Sequence, residues 1–343
     1  MNLDKTIKLG LIRWRFVTLI WLLFAFPAIT QADFPDSGFW SFQIENDLFG
    51  SSDDRYYTSG FQVSFATTET PPAYLQAVSE ALPFYKQGEV NIYGLTLGQN
   101  MFTPEDTDRS GLVVDDRPYA GWLYLETGIA HADEMQSGQQ VINGFLITLG
   151  VVGPASLAEQ TQNSFHDLIN ADKPRGWDHQ IENELGLNVR YVRKKRYLIE
   201  QNTGRQFELS RHSGIVLGNV YTYIAAGAML RWGSQLENDI GPPSIAPGFT
   251  GMPPFRPNPT INWYLYAGFE GRLMGRNIFL DGNTFRDSHS VNKEALVGDL
   301  QFGFAFHVRN VRVAFSHTIR SKEFEGQTES ARYGAINLTF YTG

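Results

Sequence analysis

Gln162 and His166 stand four residues apart in a stretch that reads as helix, and their types suggest acid–base chemistry. The segment 155–170 carries Leu157, Phe165, Leu168 and Ile169 as its apolar positions, with Pro154 near its start. A four-residue step on a helix puts both side chains on one face. There a glutamine amide can hold one imidazole nitrogen and fix its tautomer, which leaves the other nitrogen to take a proton from water. Asp172 follows His166 by six residues, near the expected helix end. The plain alternative is a loop histidine that only meets solvent. The remaining histidines, His131, His179, His212, His289, His307 and His317, show no comparable arrangement.

A second concentration lies near the start of the exported chain. Glu45-Asn46-Asp47-Leu48-Phe49 precedes Asp53-Asp54-Arg55-Tyr56-Tyr57-Thr58-Ser59-Gly60. Asn46, Asp47, Asp53, Asp54 and Thr58 are dense in oxygen, which a hard cation such as Ca²⁺ prefers. An acidic solvated loop would have the same composition. A third cluster runs Thr103-Pro104-Glu105-Asp106-Thr107-Asp108-Arg109 and then Asp115-Asp116-Arg117-Pro118-Tyr119-Ala120-Gly121-Trp122. Arg109 or Arg117 could grip a phosphate, while Asp116-Arg117 also reads as a structural ion pair in a turn. Glu237-Asn238-Asp239 repeats the lettering of Glu45-Asn46-Asp47, but Gly241-Pro242-Pro243 follows it and a structural turn is the expectation. Gly-x-Ser-x-Gly, His-Glu-x-x-His and P-loop motifs are missing, so serine hydrolase, zinc hydrolase and nucleotide-binding readings have no support.

The elements that must position these residues are strands. Trp40, Phe42 and Ile44 alternate with Ser41, Gln43 and Glu45. Phe61, Val63 and Phe65 alternate with Gly60, Gln62 and Ser64, and Tyr93, Leu95 and Leu97 with Gly94, Thr96 and Gly98. Leu123, Leu125 and Ile129 share a face, as do Phe145, Ile147, Leu149 and Val151, and Ile181, Leu185, Leu187, Val189 and Tyr191. Further strands are expected over 205–217, 221–232, 261–273, 296–308, 311–320 and 331–341, which makes 12. An even number of strands, each long enough to cross a bilayer at a tilt, fits a single-chain outer-membrane barrel. A soluble sandwich would bury apolar residues on both inner faces. Here one face is polar, suited to a lumen, and the other aromatic, suited to lipid. Short helices are expected over 71–82 and 155–170. With the N-terminus in the periplasm, connections after odd strands face outward. The connections 46–57, 102–121 and 153–179 then bring the chemical clusters to one extracellular rim.

Composition and the N-terminus agree with export. Lys5, Lys8, Arg13 and Arg15 precede an apolar run from Phe16 to Phe26, then Pro27 and Thr30-Gln31-Ala32, a secretory signal pattern with cleavage expected after Ala32. The domain expectation is therefore a signal peptide over 1–32 and one barrel over 33–343. The chain has no cysteine, so disulfides and thiolate chemistry are excluded. Its formal charge is −8, and removal of the cationic leader makes the mature part more acidic still, a poor match to nucleic acid. No second long apolar run follows the leader, which excludes a helical inner-membrane protein.

Taken in order, Ile44-Glu45-Asn46-Asp47-Leu48-Phe49, Asp54-Arg55-Tyr56-Tyr57-Thr58-Ser59-Gly60, Asp116-Arg117-Pro118-Tyr119-Ala120-Gly121-Trp122, Gln162-Asn163-Ser164-Phe165-His166 and Gly176-Trp177-Asp178-His179-Gln180 resemble the lipid A 3-O-deacylase family. The resemblance spans the mature chain. It implies an all-β, 12-stranded antiparallel transmembrane β-barrel with a short helix in an extracellular loop. It also implies a carboxylic ester hydrolase that removes the 3′-linked acyloxyacyl chain of lipid A, with Ca²⁺ as cofactor and a mechanism similar to that of secreted phospholipase A2. Carried over by position, His166 is the general base, Gln162 its orienting partner, and Asn46 and Thr58 further catalytic positions. Asp47, Thr58 and Asp172 are the implied metal ligands, and Arg109 the implied substrate-binding residue. Arg109 stands where a family member has lysine, and Asp172 where it has glutamate. The expected partners are lipid A in the outer leaflet and the outer membrane itself, with the protein a monomer. The other readings are an outer-membrane phospholipase and a non-enzymatic barrel or pore.

Overall fold

The computed structural model describes residues 37–47, 56–69, 80–82, 90–200, 204–242 and 255–343. The expected leader over 1–32, the Asp53-Asp54 pair and most of the helix expected over 71–82 lie outside the described residues. Period-two alternation yields strands throughout. In chain order they are β1 (Gly38–Asn46), β2 (Tyr56–Thr67), β3 (Val90–Thr103), β4 (Ala120–Ala132), β5 (Gln139–Val152) and β6 (Glu184–Glu200). The second half contributes β7 (Gln206–Gly218), β8 (Tyr221–Gly233), β9 (Asn258–Asn277), β10 (Leu296–Arg309), β11 (Val311–Arg320) and β12 (Ala331–Thr342). Each strand pairs antiparallel with its sequence neighbours, and β1 pairs with β12 to close the barrel. Closure leaves no open strand edge, so every strand satisfies its backbone groups without water. The sixth strand starts at Glu184 rather than Ile181, which is buried just before it.

Along β1, Ser41, Gln43 and Glu45 face the lumen, where Gln43 and Tyr57 both donate to Glu45. Trp40, Phe42, Ile44 and Asn46 therefore face outward. Leu95 and Leu97 of β3, Leu125 of β4 and Leu149 of β5 are exposed on the same outer surface. The expectation that aromatics take the lipid face holds only in part. Trp122, Tyr221, Phe102 and Phe279 pack on one another inside the barrel. Their polar tips and flat rings fill a lumen that small polar residues alone would leave open.

Charge fills the rest. Arg117, Arg196, Arg231, Arg272, Arg312 and Arg320 are all fully buried. At one end, the described part of the connection between β8 and β9 that follows β8 packs against the barrel lumen through Leu236 and Asp239. Its Asp239 accepts from Arg312 at 2.9 Å and from the Tyr264 hydroxyl at 3.1 Å. The Leu236 and Asp239 carbonyls take Arg196 at 2.7 and 2.8 Å. Glu237-Asn238-Asp239 is thus structural, as its sequence suggests, with Asp239 buried against the arginines and Glu237 exposed.

At the opposite end the connections after odd strands interlock. The Asp116 carbonyl accepts from His289, Glu105 from the Thr328 hydroxyl, and the Glu182 amide donates to Asn283. Arg117 does not pair with its neighbour. Asp116 caps the Arg117 backbone amide and the Glu105 amide, whereas the Arg117 guanidinium lies 3.4 Å from Glu323 and over the Phe102 ring. A strictly local ion pair was the sequence expectation; the tertiary fold supplies a carboxylate from the β11–β12 connection instead.

Candidate active site on the outer wall of the barrel

Helix α1 (Ala158–Ile169) covers the end of β3 and β4 from outside. It matches the helix expected over 155–170, preceded by a 3-10 turn at Pro154–Ser156. Its buried positions are Ala158, Gln162, His166 and Ile169, a stripe at helical spacing. Gly121 makes the docking possible: a Cβ there would stand 2.2 Å from both the Ser156 hydroxyl and the Ala158 methyl. Gln99 of β3 donates to the Ser156 carbonyl at 2.6 Å, and Met101, Tyr119, Ala158 and Trp177 form a small core beneath the helix.

The end of the helix sets the His166 ring. Asn170 adopts the left-handed conformation with φ 56°, which asparagine tolerates better than most residues. Its amide and that of Ala171 return to the last helical carbonyls. The reversed chain then brings the Asp172 carbonyl 2.5 Å from Nδ1 of His166. A carbonyl oxygen only accepts, so Nδ1 carries the proton and Nε2 holds the lone pair of the neutral ring. The partner at Nδ1 is therefore the main chain of Asp172, not the Gln162 amide that the spacing suggests. Gln162 has a different partner: its Oε1 accepts from the Trp177 indole at 2.8 Å. The Asp172 side chain is exposed.

Asn46, Asp47 and Thr58 lie at the neighbouring strand ends. Asn46 ends β1, buried, and its Nδ2 donates to the Thr58 carbonyl at 3.0 Å. Thr58 is the extra residue of a bulge: Tyr57 pairs with Phe102 and Ser59 with Met101. The bulge lets Tyr57 face the lumen while Thr58 turns to the outer side, where its hydroxyl meets that of Thr103 at 2.7 Å. Bulges often re-aim a side chain beside a site in this way. Asp47 follows directly and is 1% exposed. Thr58 thus joins the end of β2 to the end of β3, and β3 with β4 is the wall that α1 covers.

Arg109 stays exposed at the edge of this arrangement. Its carbonyl would lie 3.2 Å from a Cβ on Gly176, and the Thr107 carbonyl accepts from the Arg175 amide at 2.9 Å. The loop bearing Arg109 thus abuts the loop bearing Trp177. Trp177 and Tyr119, ring centroids 5.0 Å apart, are site neighbours that motif spacing did not single out as functional. Burial pushes the Tyr119 hydroxyl up to about 12, so it remains a neutral donor at any ordinary pH. The Gly176-Trp177 motif was visible in the sequence, but only packing shows what its indole touches. Among the described residues, no group of three or more His, Cys, Asp or Glu gathers as a metal cluster.

Comparison with known proteins shows the family and the fold. The model of the family described as outer membrane protein LpxR matches residues 16–342. Among solved structures, LpxR from Salmonella typhimurium superposes with a TM-score of 0.71 at 19% identity, covering 88% of this chain and 99% of that one. The β domain of the Bordetella autotransporter BrkA matches with a TM-score of 0.44 at 8% identity, covering 89% and 99%. No curated protein matches the sequence.

Proposed function

The chain belongs to the LpxR family of outer membrane proteins, and from that premise we propose that it is a lipid A 3-O-deacylase, a carboxylic ester hydrolase working at the extracellular rim. The observation that carries this reading is the His166 ring, held in the base tautomer by the Asp172 carbonyl on the outer wall of the barrel. A site on that outer wall suits a substrate whose acyl chains lie in the outer leaflet, along the exposed Leu95, Leu97 and Leu125. Nε2 of His166 takes a proton from water as the water attacks the ester carbonyl. The imidazolium then returns the proton to the departing sugar oxygen, releasing the 3′ acyloxyacyl acid. Asn46, whose amide donates to the Thr58 carbonyl, is in this reading a residue that stabilises the developing oxyanion.

The donors present near β1 and β2 are oxygens, which suit Ca²⁺ better than a softer metal. Asp47, the Thr58 carbonyl or hydroxyl, and Asp172 would hold it, and when bound it supplies polarisation of the ester carbonyl. Arg109, exposed beside the site, would meet a substrate phosphate. The protein acts as a monomer in this reading.

The filled lumen argues against a pore, since Arg196, Arg231 and Arg312 are tied to the β8–β9 connection. Mass spectrometry of lipid A from cells with and without the gene tests the function. Loss of one 3′ acyloxyacyl unit is the expected result. Fatty acid released from phospholipid, with lipid A intact, would reassign the substrate.

A further inference from the structure

We infer that Gln162 serves as an oxyanion donor rather than as the partner of the His166 ring, and that Trp177 is the positioning residue that aims it. The inference rests on the hydrolase reading above and adds a role for two side chains. An indole Nε1–H can only donate, so the amide atom facing Trp177 at 2.8 Å must be the oxygen. That contact fixes which way the amide points, since oxygen and nitrogen occupy opposite arms of one planar group. Gln162 is 3% exposed, and its Nε2 has no hydrogen-bond partner among the described residues. A buried NH₂ left without an acceptor loses its hydration with no hydrogen bond in return. Such a group suggests a ligand that supplies the missing acceptor.

The position is suitable. Gln162 and His166 lie one turn apart on the buried face of α1, so their side chains are neighbours facing the same wall. His166 has no need of the glutamine, because its Nδ1 is already held by the Asp172 carbonyl. When water adds to the ester carbon, the carbonyl π electrons move onto oxygen. The Gln162 Nε2–H then donates to that oxyanion as it forms. Collapse restores the carbonyl, breaks the bond to the sugar oxygen and sends the proton from His166 to the leaving alkoxide. Trp177 is itself set by packing on Tyr119, and a Cβ on Gly176 would lie 2.4 Å from the Tyr119 ring. The pair Gly176-Trp177 thus delivers an indole N–H where a bulkier residue before it would prevent the approach.

Steady-state kinetics of the full-length protein in detergent micelles with lipid A separates the roles. Gln162→Ala is expected to lower kcat by about 10²–10³-fold, with KM and the apparent pKa of the acidic limb unchanged. Trp177→Phe keeps the ring and removes the donor; it should lower kcat about tenfold with KM unchanged, and cost nothing further when added to Gln162→Ala. Gln162→Glu keeps the acceptor for Trp177 and removes the amide protons, so its high-pH plateau should fall like that of Gln162→Ala, even if Trp177→Phe fails to insert. A Gln162→Ala enzyme with a full plateau but a moved acidic limb would return the glutamine to orienting His166 and overturn the inference. Equal losses from Trp177→Phe in both backgrounds would make Trp177 merely structural and overturn its positioning role. Wild-type kcat in the Gln162 variants, alongside an inactive His166→Ala, would remove the oxyanion role and leave the hydrolase reading standing. Wild-type turnover by His166→Ala would remove the hydrolase reading itself.

Discussion

Nδ1 of His166 lies 2.5 Å from the main-chain carbonyl of Asp172, across the turn that ends the covering helix. An acidic residue at this position suggests a carboxylate role, yet the atom that meets the ring is one any residue could supply. Whether Asp172 matters through its backbone, its side chain or both is therefore open to direct measurement.

His166→Ala should reduce turnover by about 10²–10⁴-fold, the usual contribution of a positioned base, while the barrel still inserts and shows normal heat-modifiable migration. Asp172→Ala keeps the carbonyl and should cost less than about tenfold. His179→Ala, a change at an exposed loop position, is the control and should stay active. Activity should fall as pH drops through the imidazole range, because a protonated Nε2 has no lone pair to accept with. A flat rate from pH 5 to pH 8 would exclude an imidazole base.

Chelation should abolish activity and Ca²⁺ should restore it. Asp47→Ala should raise the Ca²⁺ concentration needed for half-maximal rate, or eliminate activity, because it removes a buried carboxylate beside Asn46. Direct calcium binding to the purified barrel by titration calorimetry checks this without recourse to turnover. Full activity in excess chelator would remove calcium from the mechanism.

Gly121→Val tests the docking of the helix. A side chain there collides with Ser156 and Ala158, so α1 should be displaced from the wall while strand pairing persists. The expected result is an inserted barrel with turnover reduced at least 10²-fold, since small misplacement of a catalytic group has losses of that order. Limited proteolysis should show faster cleavage within 155–175. Wild-type kinetics would mean that the helix does not need this seat.

Arg117→Ala leaves the buried Glu323 with Arg320 as its remaining guanidinium partner and should destabilise the protein by about 1–3 kcal/mol, less than for a charge left wholly unpaired. Pairing it with Glu323→Gln should recover part of that loss. Thermal unfolding of the purified variants provides the measurement, and equal stability of the single and double variants would show that the ion pair is not the interlock.

The chain has no cysteine, so single cysteines report topology cleanly. Asp108→Cys and Ser164→Cys should label with an impermeant reagent on intact cells, and Glu237→Cys should not. The reverse pattern would invert the barrel and place the site at the periplasmic rim.

The amino-acid sequence by itself determined the barrel. Alternation such as Trp40-Ser41-Phe42-Gln43-Ile44-Glu45 is a local property of each strand, and a closed antiparallel sheet repeats it with little dependence on distant residues. It also placed Asn46, Thr58, Gln162 and His166 in segments that gather at one rim, because strand parity alone dictates which connections share an end. What the tertiary structure decided were the relationships between those segments. The bulge at Thr58 turns Tyr57 into the lumen, against the alternation that runs back along β2 from Phe61 and Ser59. Gln162 meets Trp177 rather than the ring four residues away, and His166 meets a backbone carbonyl, because packing of the helix end selects each hydrogen-bond partner. Arg117 reaches a carboxylate more than 200 residues away. Hydrogen bonds and ion pairs act over a few ångströms, so their partners follow from three-dimensional proximity, which spacing along the chain encodes only inside a single helix or strand.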